Sequence, residues 1–202
     1  MKAVIFDMGG VLLRTEDRAS REQLAARFGM TYEQMDALVF GGESAARATV
    51  GEIDEPAHWD ALMQYFHLTP ADMPGFKAAF WGGDRHDEQL VDYIRSLRPR
   101  CRTGLLSNAW TGIRGVLDRK YHLLDAFDEV VISAEVKLAK PDARIYHLML
   151  DRLGVQPQDA AFVDDFPVNV EAANALGIHG IRFYNREQTL ADLQAWLAEG
   201  QE

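Results

Sequence analysis

Five short, β-rich apolar runs punctuate the chain: Ala3–Phe6, Thr103–Leu106, Val130–Ile132, Ala161–Val163 and Ile178–Phe183. Each stops at a polar or glycine-rich turn. Unbroken runs of this length are typical of strands buried on both faces, as in a parallel sheet. Helical patterns lie between the later runs. Asp142–Leu153 puts Ile145, Leu148, Met149 and Leu153 on one stripe, with Gly154 as its stop. Val168–Leu176 is alanine-rich and stops at Gly177, and the tail after Asn185 carries Leu190, Leu193, Trp196 and Leu197 at helical spacing. Strands alternating with helices predict an α/β fold, a Rossmann-like parallel sheet with right-handed crossovers.

Residues 14–86 read differently, with no convincing strand. Thr31 with Gln34 forms a capping-box pattern ahead of Met35, Leu38 and Val39. Thr69-Pro70 reads as an N-cap followed by proline at the first helical position. Leu24 with Phe28 and Leu62 with Phe66 are apolar i,i+4 pairs. The expectation is an all-helical cap domain, 14–86, inserted into a core made of 1–13 and 87–202. A second domain over the carboxyl end of a sheet closes a ligand cleft.

Charge narrows the partners. Against 21 Lys+Arg stand 31 Asp+Glu, a net charge of −10. Such a chain repels phosphate backbones and anionic bilayers, so neither a nucleic acid nor a membrane is expected as partner. A phosphorylated ligand would need a metal or a few well-placed bases. Cys101 is the lone cysteine, which excludes an intrachain disulfide and a cysteine-rich metal site. The six histidines show no zinc-ligand spacing. No apolar stretch has the length of a signal-peptide core or a membrane span, so a cytoplasmic location is expected. A homodimer is left open.

Four features follow predicted strands, on the side where open α/β sheets bind ligands. Asp7 ends the first run and precedes Gly9-Gly10; a carboxylate there serves as nucleophile, metal ligand or structural cap. Ser107-Asn108 ends the second, where a hydroxyl and adjacent N–H groups suit an oxyanion or simply make a turn. Lys140 precedes Pro141-Asp142 at a helix start, where a cation works against the dipole and so suits neutralising a phosphate and a carboxylate. Lys137 is the competing lysine and reads as solvated. Asp164-Asp165 ends the fourth run; adjacent acids repel, and a hard cation such as Mg²⁺ relieves that.

In order and context these motifs resemble the haloacid dehalogenase superfamily, most of whose members are phosphatases. The resembling segments are Asp7-Met8-Gly9-Gly10-Val11, Leu105-Leu106-Ser107-Asn108, Lys140-Pro141-Asp142 with Arg144-Ile145-Tyr146, and Asp164-Asp165 followed by Asn169 and Glu171-Ala172-Ala173. The resemblance covers essentially the whole chain, with the helical insert where the family's cap sits. It implies a phosphoric monoester hydrolase acting on a small phosphorylated metabolite. Asp7 would attack phosphorus and form an aspartyl-phosphate. Mg²⁺ would be held by Asp7, the Gly9 carbonyl and Asp165, with Asp164 reaching it through water. Ser107, Lys140, Gly10 and Asn108 would hold the phosphoryl group.

One departure stands out. The family's usual second motif acid, its general acid/base, is Gly9 here. Glycine offers a carbonyl to a metal but no proton to a leaving oxygen. Such help is worth about 10²–10⁴-fold. Three readings follow: a phosphatase for esters with easier leaving groups, one that recruits an acid from the cap, or a weakened relative that binds phosphorylated metabolites without turnover. The glycine form resembles a subgroup that includes sugar-1-phosphate phosphatases. The alternative reaction is metal-independent 2-haloacid dehalogenation, against which the Asp164-Asp165 pair argues. For the cleft the cap offers Arg18, Glu43, Arg47, Trp59, Trp81, Arg85 and His86, each more ordinarily solvated or core-packed. Trp110 lies at the cleft mouth or on the tail helix.

Overall fold

The computed structural model describes residues 1–199. In chain order it runs β1 (Ala3–Phe6), β2 (Leu13–Thr15), α1 (Ala19–Arg27), α2 (Tyr32–Gly41), α3 (Glu43–Thr49), α4 (Glu55–Tyr65), α5 (Met73–Trp81) and β3 (Asp84–His86). It continues with α6 (Glu88–Leu97), β4 (Arg102–Ser107), α7 (Ile113–Arg119), β5 (Glu129–Ile132), α8 (Ser133–Val136), α9 (Ala143–Leu153), β6 (Ala160–Asp164), α10 (Pro167–Ala175), β7 (His179–Arg182) and α11 (Arg186–Ala198).

Five strands form one parallel sheet in the order β5-β4-β1-β6-β7. Alternation along β1 serves both faces. Val4 and Phe6 pack with Leu90, Ile94, Leu117 and Leu193 of α6, α7 and α11. Ala3 and Ile5 pack with Ile145, Met149 and Ala173 of α9 and α10. Covered on both sides, the central strands β1, β4 and β6 carry no polar stripe, which is why they read as plain apolar runs.

Register fixes the site. Phe6 pairs with Leu105 on one side and Val163 on the other. The next residues, Asp7 and Asp164, therefore leave the sheet at one level, and the Asp7 N–H donates to the Val163 carbonyl at 2.8 Å.

The insert departs from the sequence expectation at its ends. Leu13–Thr15 and Asp84–His86 are strands, paired antiparallel with Leu13 opposite His86 and Thr15 opposite Asp84. Residues 14–86 are therefore not all helical. The two chain crossings form a ribbon; the expected boundary at residue 14 falls inside β2, and the one at residue 86 coincides with the end of β3. Between them α1–α5 enclose their own core, including Leu24, Met35, Trp59, Leu62, Phe76 and Phe80. The Thr31–Gln34 capping box is formed. The helix expected from Pro70 instead starts at Met73, because Asp72 accepts from both the Thr69 N–H (2.8 Å) and hydroxyl (2.6 Å) and closes a turn there. Similarly, the N-cap of α9 is Asp142, so Pro141 precedes the cap and is not the first helical residue.

Asp87 locks the second crossing. It caps α6 through the Leu90 N–H at 2.9 Å and accepts from Arg14 at 2.8 Å and Arg186 at 2.9 Å while almost wholly buried. Burial by itself raises its carboxyl pKa, but these donors outweigh burial and hold it below the ordinary value. Asp87→Ala is expected to cost about 2–3 kcal/mol, a lost cap plus two orphaned guanidinium contacts. Because the folded pKa is depressed, the wild-type advantage over the variant is full above about pH 4 and fades as pH falls below it. Urea unfolding of both proteins between pH 3 and 7 checks this.

Candidate active site

The acidic end of the sheet is organised around one ammonium group. Lys140 lies in the irregular segment between α8 and α9, yet its residue is only 5% exposed. Its Nζ stands 2.8 Å from Asp7 Oδ1 and 2.6 Å from Asp164 Oδ2. A buried cation is tolerated only when paired, and here one cation serves two buried anions. Lys137, the competing lysine, is exposed.

Asp164 is fully buried and already committed. Beyond Lys140 it accepts from the Phe166 N–H at 2.8 Å and from the Asn169 side-chain amide at 3.0 and 3.2 Å. Asn169 is in turn fixed by Tyr146, whose hydroxyl donates to the Asn169 carbonyl at 3.0 Å. The sequence places Asn169 only within the motif; its tie to Asp164 emerges once α10 folds back on the strand end.

Asp165 is different. Its Oδ1 is buried and has no hydrogen-bond partner among the described residues. Burial, with Asp164 beside it, pushes its carboxyl up to about 6. Burial likewise lifts Asp7 well above the carboxylate range; Lys140 pulls it back and Asp164 adds to the rise. Single ligand oxygens of Asp7, Asp164 and Asp165 lie within 4.8 Å of one another. Three carboxylates sharing one lysine, with an orphaned oxygen among them, are short of positive charge. An all-oxygen donor set of this kind fits a hard divalent cation.

The glycines of the turn behave oppositely. Gly10 has φ +76°, and a Cβ there would lie 2.2 Å from Asp165 Oδ2. Only a residue without a side chain lets the turn approach that carboxylate. Gly9 has no positive φ, and a Cβ there meets nothing within 4 Å. Neither backbone angle nor space therefore explains the absence of an acid at Gly9.

Ser107 ends β4, 1% exposed. The next residue, Asn108, spends its side-chain amide on main chain: Nδ2 donates to the Lys140 carbonyl at 2.9 Å and Oδ1 accepts from the Lys140 N–H at 2.8 Å. Of the cap candidates, Trp81, Arg85 and His86 line one cavity of about 370 Å³ with Lys120 and Tyr121. Trp59 is buried in the insert core, Arg18 stacks on Tyr32, Arg47 pairs with Glu52, and Glu43 opens α3. Trp110 packs on the insert, 5.8 Å from Phe40, 4.3 Å from His58 and 5.7 Å from Trp59 between ring centroids, and not on the tail helix.

The chain resembles known proteins along most of its length. A haloacid dehalogenase-like hydrolase family profile matches residues 1–177. Acyl-CoA dehydrogenase family member 10 of Mus musculus is 43% identical over 208 residues, which cover 97% of this chain but 19% of that protein, so the chain spans about a fifth of its length. A phosphorylated carbohydrates phosphatase of Thermotoga maritima is 29% identical over 99% of this chain and 92% of its own. The crystal structure of a haloacid dehalogenase-family enzyme from Bacteroides thetaiotaomicron, in complex with magnesium and inorganic phosphate, superposes with a TM-score of 0.77 over 94% of this chain and 98% of that one; at 20% identity this likeness concerns the fold.

Proposed function

The chain belongs to the haloacid dehalogenase-like hydrolases, and on that premise we propose that it is a magnesium-dependent phosphatase of a small phosphorylated metabolite, a sugar phosphate being the class favoured. The observation that carries this reading is the cluster itself: Lys140 between Asp7 and Asp164, beside an Asp165 oxygen unpartnered among the described residues. A dianionic phosphoryl group meets a carboxylate nucleophile only where its charge is offset. The Thermotoga phosphatase supports the substrate class, as does a fructose-1-phosphate phosphatase of Escherichia coli, 24% identical over 88% of this chain.

Asp7, the Gly9 carbonyl and Asp165 would hold Mg²⁺, with Asp164 behind them. The ion, when bound, offsets phosphoryl charge. The chain does the rest. An Asp7 oxygen attacks phosphorus, the P–O bond to the metabolite breaks, and its oxygen leaves with the bonding pair and takes a proton from solvent water. Water then attacks the aspartyl-phosphate, the bond from phosphorus to the Asp7 oxygen breaks, and inorganic phosphate is released. Lys140, the Ser107 hydroxyl and the main-chain N–H groups of Gly10 and Asn108 hold the phosphoryl oxygens. Asp164 keeps the Lys140 ammonium aimed.

The test is a metal-controlled screen of phosphorylated metabolites, sugar 1-phosphates beside 6-phosphates, with 2-haloacids in parallel. Chelator-sensitive phosphate release supports the reading. Halide release without metal would replace it with dehalogenation, and phosphate-ester binding without turnover would make the protein a binding relative.

Gly9 adds a prediction. With no acid at that position, kcat/KM, which covers the steps up to aspartyl-phosphate formation, should rise steeply as the leaving-group pKa falls, and aryl or anomeric phosphates should outrun primary alkyl phosphates. Gly9→Asp is expected to fold normally, since the backbone and the space allow it. It should speed poor leaving groups by up to about 10²-fold, the low end of general acid help. Gly10→Ala, by contrast, should displace Asp165 and lose activity. A flat leaving-group series would show that another acid replaces the missing one.

A further inference from the structure

We propose that Asn108 is the positioning residue of Lys140, setting the place of the ammonium through the lysine's main chain; the inference rests on the phosphatase reading for what Lys140 does. Buried main-chain groups need partners, and in a strand or helix the ladder supplies them. Lys140 belongs to neither element, and no backbone group pairs with its N–H or its carbonyl among the described residues. The Asn108 side chain supplies both partners, accepting at 2.8 Å and donating at 2.9 Å, as a neighbouring strand residue would. Of the side chains that present a donor and an acceptor in one plane, asparagine is the shortest.

Placement gives this contact its consequence. Asn108 directly follows Ser107 at the end of β4, 32 residues before Lys140. The clamp therefore ties the lysine main chain to the strand that adjoins β1, whose end carries Asp7. From that anchored main chain the side chain reaches Asp7 and Asp164 together. Without the clamp, the loop's two main-chain groups must find water, and the ammonium loses its fixed origin. A shift of about 1 Å at a reacting group is worth about 10²-fold.

Two measurements decide it. First, hydrogen exchange at the Lys140 amide should be slow in the wild-type protein and at least about tenfold faster in Asn108→Ala, since its acceptor is gone. Asn108→Asp keeps that acceptor and loses only the donor to the carbonyl, so its exchange should fall between the two; it also serves if the alanine variant fails to fold. Second, in a double-mutant cycle, Asn108→Ala should lower kcat/KM about 10²-fold in the wild-type background and change it less than about twofold in a Lys140→Ala background. Inorganic phosphate affinity by calorimetry should show the same non-additivity. Equal losses in both backgrounds would overturn the inference, because Asn108 would then act on the substrate by itself. So would unchanged amide exchange. If Lys140→Ala keeps its rate, the phosphatase reading fails, and the exchange experiment still judges the clamp alone.

Discussion

Asp7→Asn should lose at least about 10⁴-fold in phosphatase turnover, on the scale of removing a catalytic nucleophile. The amide keeps the shape of the carboxylate and cannot form the bond to phosphorus. Acid-quenched reactions with labelled ester should trap phosphoprotein from the wild type and none from the variant. The fold should survive. Burial raises the Asp7 pKa, so above it the ionised group opposes folding, and a neutral isostere removes that cost. Melting at pH 8 should therefore be unchanged or higher. Turnover within tenfold of wild type would remove Asp7 from the nucleophile's role.

Lys140→Ala carries the largest expected loss of stability. It strips the shared cation from two buried carboxylates, Asp7 and Asp164. Breaking a buried pair from one side costs about 3–5 kcal/mol. The sign with pH follows from the raised carboxyl of Asp7. The deficit is full above the Asp7 pKa of the variant, which loss of Lys140 raises further, and shrinks as pH falls from there to the wild-type folded value, where protonation neutralises the stranded charge. Activity should drop about 10²–10³-fold, as when a preorganised electrostatic group is removed. Urea unfolding from pH 4 to 8 and initial rates on one ester test both parts. An unchanged unfolding midpoint would mean that the 2.6 and 2.8 Å contacts add nothing to stability.

What the sequence disclosed, and what it hid, divides by range. The sheet strands were legible as short apolar runs, most clearly β1 and β6, which are buried throughout, and four of the five end at an acid or a serine, β7 being the exception. Asp7, Lys140 and Asp164-Asp165 were legible as misfits: charges placed where local stability gives no reason for them. The ribbon of β2 and β3 was hidden. Leu13-Arg14-Thr15 and Asp84-Arg85-His86 have no apolar pattern, and their pairing closes across about 70 residues. The bond from Thr69 to Asp72 was hidden by a competing signal, since Thr-Pro also reads as a helix start. For Asn108 the sequence marked the turn but not its partner, which lies 32 residues downstream.

The central place of β1 bears on synthesis at the ribosome. Its two partners are β4, from Arg102, and β6, from Ala160. At roughly 5–20 residues per second, β1 waits about 8–30 s after emergence before its second edge can be covered. Until β4 emerges the segment that precedes Asp7 is an apolar strand without neighbours, and until β6 emerges it has one. The five-helix insert, whose buried core lies within residues 13–86 although Trp110 packs on it from outside, is free to fold first. Slowing translation beyond residue 107 should therefore expose nascent chains to aggregation or chaperone capture through β1, and a charge placed at Val4 or Ile5 should suppress that capture while destroying the finished sheet.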